Sequence, residues 1–139
     1  MDAAKPATLP ISSLSAGEIL CEVLMNSPVA GKVNDIYPVV QDFATLPYIV
    51  YRRSGFEETR QKGILHNDSV NMEVLCLSQR YGEGVAIAEL VREALDGVSA
   101  RSESLEMRSC VLTDADEDWT DDAYVQRLVF TMRITPNNK

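Results

Sequence analysis

The sequence predicts an α+β fold in which two helices pack on an antiparallel sheet of four to five strands, in the order α-β-β-β-α-β-β. Three observations carry that expectation. From Asp68 onward Val70, Met72, Val74 and Cys76 alternate with Asn71, Glu73, Leu75 and Leu77, the period of a strand with one wholly apolar face. The period then lengthens: Ile87, Ala88, Val91 and Leu95 recur at helical spacing, and Gly97 stands where a left-handed residue ends a helix. Within Ala123 to Ile134, the residues Leu128, Phe130, Met132 and Ile134 alternate strictly with more polar ones. A half-buried strand that returns a helix over its own sheet brings Val74, Val91, Leu95 and Phe130 into one core.

The elements follow in chain order. Met1 to Ser13 carries Pro6 and Pro10 among small residues and reads as a loose arm, either disordered or ordered on a neighbouring subunit. Ser15-Ala16-Gly17-Glu18 has the form of a capping box, with Leu14 and Ile19 as its staple. It opens a helix through about Met25 that buries Ile19, Leu20, Val23 and Leu24, and Ser27-Pro28 ends it. Ile36 to Val40 is a short strand that Pro38 confines to an edge. Leu46 to Arg53 is a better one, with Tyr48, Val50 and Arg52 alternating with Ile49, Tyr51 and Arg53. Ser54 to Asn67 is polar, holds Gly55 and Gly63, and reads as a long loop suited to interactions. Glu103 to Leu112 alternates again, with Leu105, Met107, Ser109 and Val111 on one face. Asp114 to Asp122 reads as a solvated acidic loop before the closing strand. Residues 135–139 form a flexible tail, and 1–139 makes one domain.

Composition narrows the function classes. A formal net charge of −8 disfavours nucleic-acid binding and suits a basic protein partner. No apolar run approaches the roughly 20 residues that cross a bilayer, and Met1 to Pro6 lacks the order of a signal peptide, so residence in a cytoplasm is expected. Cys21, Cys76 and Cys110 lie far apart in apolar patterns and read as reduced, packed thiols. His66 precedes the turn pair Asn67-Asp68 and reads as a surface residue. No nucleophile, base and orienting group occur in a recognisable arrangement, so a non-enzymatic protein without cofactor or metal is expected.

The candidate sites are contact surfaces. Asp114, Asp116 and Asp118 match positions one, three and five of a calcium-binding EF-hand loop. Trp119 and Val125 stand where that loop needs glycine and glutamate, which argues against a cation site. Trp119 with Asp116, Asp118 and Asp121 reads instead as a protein-interaction surface, the indole serving either as an anchor for a partner or as a lid on the core. Arg52 and Arg53 point to opposite faces of a regular strand, so one is available to pair with a carboxylate across an interface or to end in solvent. Gly82-Glu83-Gly84 lacks the lysine of a phosphate loop and reads as a helix entry.

Val33-Asn34-Asp35-Ile36-Tyr37-Pro38 followed by Leu46-Pro47-Tyr48-Ile49-Val50-Tyr51 resembles the signature of the tail-completion, or head–tail joining, family of tailed phages and prophages. A strand like Val70 to Leu77 leading into a helix near Tyr81, and a closing strand like Tyr124 to Ile134, match the same family in order. The resemblance implies a small, tail-terminator-like virion protein that forms a ring with itself, hexameric by that likeness. Its implied partners are tail-tube and head-connector proteins, its location the virion or the host cytoplasm, and its activity non-enzymatic. The rival reading is a cytoplasmic adaptor that binds proteins through the long loop and Trp119.

Overall fold

The computed structural model describes residues 13–39, 44–60, 66–103 and 105–136, the side chains of 59, 60, 66, 67 and 136 excepted. The first helix, α1 (Ala16–Met25), lays Ile19, Leu20 and Leu24 into the core. Three strands follow, β1 (Ile36–Pro38), β2 (Tyr48–Arg60) and β3 (His66–Ser78), then the second helix, α2 (Tyr81–Leu95). The chain closes with β4 (Ala100–Arg101), β5 (Leu105–Thr120) and β6 (Ala123–Pro136).

The six strands form one sheet in the order β1-β2-β3-β6-β5-β4. It is mixed, because β1 runs parallel to β2 while every other pairing is antiparallel. The expected all-antiparallel sheet of four to five strands is corrected on both counts. A two-residue strand such as β4 is too short to leave a periodic signal, and the direction in which a three-residue strand such as β1 pairs is a long-range matter that no local pattern announces. Pro38 does lie on an edge strand, as a residue without a backbone donor must.

Both helices cover one face of the sheet. α2 packs over β3 and β6, and α1 sits against β2 and α2. Val74, Val91, Leu95 and Phe130 are all fully buried within one cluster, as the alternating and helical periods require. The thiols of Cys76 and Cys110 are free and buried, and burial pushes both up to about 12, with the nearby Asp96 carboxylate adding to the shift at Cys110. They are inert packing groups.

Local structure departs from the pattern in several places. Ser15 does precede α1, but its side chain makes no capping bond. Residues Ser13–Ser15 form a 3-10 turn that feeds the helix instead, and the buried Ser13 donates to Asp68 Oδ2 at 2.6 Å. The expected arm therefore stops short of Ser13, and the rest of it lies outside the described residues. At the other end β6 runs to Pro136, with Thr135 buried, and the rest of the expected tail lies outside the described residues. His66 opens β3 rather than a turn. Asp96 caps α2, and Gly97 takes the left-handed conformation, φ +81°, that a side chain would disfavour.

Strict alternation fails in β5. Register shifts between Met107 and Ser109 and between Leu112 and Asp114 mark two bulges. The first moves Cys110 and Leu112 toward the core and leaves Val111 about half exposed, contrary to the face expected for Ser109 and Val111. The second restores the original parity.

Close approach also fixes one residue type. Gly84 is buried in the first turn of α2, where a methyl group would sit 2.6 Å from Ser78 Oγ. That hydroxyl is buried and donates to the Arg80 carbonyl at 2.8 Å. Gly84→Ala is therefore expected to cost about 1–3 kcal/mol through overpacking, in spite of alanine's better helix propensity. Adding Ser78→Ala should recover most of the loss, and thermal unfolding of the three variants checks this.

Candidate functional site

The far end of the β5–β6 hairpin carries most of the expected interaction residues. The acidic segment is strand, not loop. Asp114 to Thr120 continues β5, and its register with β6 runs without interruption to Thr120 opposite Ala123. The turn itself is only Asp121 and Asp122, with φ of 52° and 62°. Positive φ at both central residues is what a two-residue type I′ hairpin demands, and aspartate is among the few side-chain-bearing residues that tolerate it. Likewise Ser54 to Arg60 belongs to β2 and His66 to Asn67 to β3, and residues 61–65, the rest of the expected loop, lie outside the described set.

Strand geometry sorts the acidic run into two faces. Asp114, Asp116 and Asp118 share one, spaced about 7 Å apart along the strand, while Ala115, Glu117 and Trp119 share the other. Aspartates in a row along a strand do not wrap around an ion. Among the described residues no group of three His, Cys, Asp or Glu could hold a metal.

On the face away from the helices an ionic row crosses four strands. Arg52 Nε on β2 donates to Glu73 Oε1 on β3 at 2.6 Å. Arg127 Nε on β6 donates to Glu73 Oε2, and its Nη1 reaches Asp116 Oδ2 at 3.0 Å and Asp114 Oδ2 at 3.5 Å on β5. Glu73 is buried, at 7% exposure, yet both its oxygens are engaged. Burial alone would raise its carboxyl, but the hydrogen bonds from Arg127 and Arg52 outweigh that and hold it below the ordinary carboxylate value. Its partners are partly in solvent, so the row pins strand register more than it adds stability.

The face toward the helices holds an aromatic cluster. Tyr124 makes edge-on contacts with Trp119, centroids 4.7 Å apart, and with Tyr81 at the start of α2, 5.7 Å apart. The Tyr81 hydroxyl donates to Glu117 Oε1 at 2.8 Å, and Gln126 Nε2 donates to the same oxygen at 2.9 Å. The bonds from Gln126 and Tyr81 hold the Glu117 carboxyl below its ordinary value, and the same carboxylate raises the Tyr81 phenol. Tyr81, Glu117, Asp118, Trp119, Tyr124 and Gln126 line a pocket of about 230 Å³.

The expected site residues divide accordingly. Asp116 and Arg52 belong to one ionic row, joined through Glu73 and Arg127. Asp118 accepts from the Trp119 backbone at 2.7 Å, and Asp121 makes the turn. Arg53 stands apart, donating to the Leu14 carbonyl at 2.7 Å. Trp119 is neither a lid on the core nor isolated in a loop; it is half exposed beside Tyr124. Sequence reasoning missed Glu73, Arg127, Tyr81, Tyr124 and Glu117. One signal was present: Asp114-Ala115-Asp116-Glu117-Asp118-Trp119 already has the period of two.

The comparisons agree with this architecture. A chain in a solved structure described as "Virion of native gene transfer agent (GTA) particle" superposes with a TM-score of 0.62 at 16% identity, covering 88% of this chain and 89% of that one. At that identity the likeness is one of fold. None of the curated proteins matches this chain. The family described as "Tail completion protein gp17" matches residues 20–135, and by that match over most of its length the chain belongs to the tail completion protein gp17 family.

Proposed function

We propose that the protein is a non-enzymatic virion component that completes the tail of a phage or phage-like particle, assembles as a ring, and joins the tail to the head. The family match across residues 20–135 carries this reading. Membership makes it a structural tail protein; the ring and the junction with the head are the proposal. The fold supports subunit contacts. β1 covers only Ile49 to Tyr51 of β2, and β4 covers only Glu106 and Met107 of β5, so among the described residues long stretches of both strands are paired on their inner side alone. Such edges are natural sites for pairing with another chain.

Self-association has to overcome a net charge of −8, so a template or screening salt should favour it. The test is a particle-producing strain lacking this protein, complemented with the wild-type chain. Electron micrographs should show separate heads and tails without it and joined particles with it. Joined particles in its absence would overturn the joining role, and a purely monomeric protein on isolated tails would overturn the ring.

A further inference from the structure

We infer that the pocket at the end of the β5–β6 hairpin receives an arginine side chain from a neighbouring protein of the particle. This deepens the tail-completion reading and rests on it for the identity of the neighbour. Three aromatic rings meet there: Trp119 and Tyr81 are each about half exposed, and Tyr124 lies between them. No basic side chain lines the pocket, whereas Glu117 and Asp118 do.

Aromatic faces beside a carboxylate are complementary to a planar cation, which stacks on the rings and donates hydrogen bonds at its edge. Glu117 suits that role. One of its oxygens already accepts from Tyr81 and Gln126, which orients the group, and the described residues provide no cation for its charge. The carboxylates across the strand differ in this respect, since Asp114 and Asp116 already face Arg127. A phosphate or a nucleic-acid backbone would be repelled by the same charges. A purely apolar anchor would leave Glu117 without a counter-charge at the contact.

Trp119 is the single tryptophan of the chain, so its fluorescence reports on this pocket alone. The experiment titrates the full-length protein with an acetylated glycine peptide carrying two arginines, and with the same peptide carrying citrulline, which has the same shape without the charge. A saturable change in Trp119 emission with the arginine peptide, and a response at least about fivefold weaker with citrulline, is expected. Glu117→Gln should weaken the arginine response about fivefold or more, while Glu93→Gln on α2, which removes the same charge elsewhere, should leave it unchanged. Melting curves establish that both variants fold. Equal responses to the two peptides, equal losses in the two variants, or no saturable change would each overturn the inference. The titration uses the free protein and the particle assay reads joining, so either can fail while the other stands.

Discussion

Phe130→Ala is expected to lower stability by about 3–5 kcal/mol, the largest effect of any single core truncation in this chain. Phe130 is the largest fully buried side chain among the described residues and sits on β6, a central strand, opposite Met72 on β3 and Leu112 on β5. Its strand neighbours are held by the ladder on both sides and α2 packs over the same strand, so the surroundings have little freedom to collapse into the space. Leu95→Ala, from the helix side of the same cluster, should cost about 2–5 kcal/mol. Urea unfolding would show both as lower midpoints with nearly unchanged slopes. Midpoints within error of wild type would mean that α2 does not pack on β3 and β6 as described.

Arg127→Met is expected to cost about 1–3 kcal/mol by leaving the buried Glu73 carboxylate with Arg52 alone. It also releases Asp114 and Asp116, though both are well exposed and add little. The sign of the pH dependence follows from Glu73. Its folded pKa lies below its unfolded one, so its contribution is fully present above the unfolded value, near 4.5, and is lost as pH falls through the folded value. The gap between wild type and Arg127→Met should accordingly be widest near neutral pH and narrow as pH falls below 4.5 toward the lower, folded value. A Glu73→Gln variant should show the same convergence in urea titrations run from pH 7 to pH 3. A gap that grows on acidification would show that Glu73 is not the ionised partner.

How much of this was legible beforehand differs by region. β3, α2 and β6 were read correctly because their apolar residues repeat at strand or helix spacing, and burial of that face is what stabilises them. The outer half of β5 reads as loop in the sequence because its residues are acidic. Strand formation there depends on hydrogen bonds to β6 and on Arg127 facing two aspartates, neither of which leaves an apolar signature. The far part of β2 was missed for the same reason: past Arg53 it is held by its pairing with β3, with a bulge between Arg53 and Gly55.

The core and the family are both legible in the residue pattern. Val74, Val91, Leu95 and Phe130 fall together because period alone assigns faces, and the Leu46-Pro47-Tyr48 stretch carried the resemblance that the match over residues 20–135 bears out. The ionic row and the aromatic pocket are visible in the tertiary structure alone. Two bulges in β5 reassign its faces, each inserting one unpaired residue at a position the alternation does not announce. The ionic row then joins Arg52, Glu73, Arg127 and Asp116 from four strands, and the aromatic pocket joins Tyr81 to Trp119 and Tyr124 from a helix and a hairpin. Those groupings depend on register and strand order. Both are settled by long-range pairing, which local residue patterns do not encode.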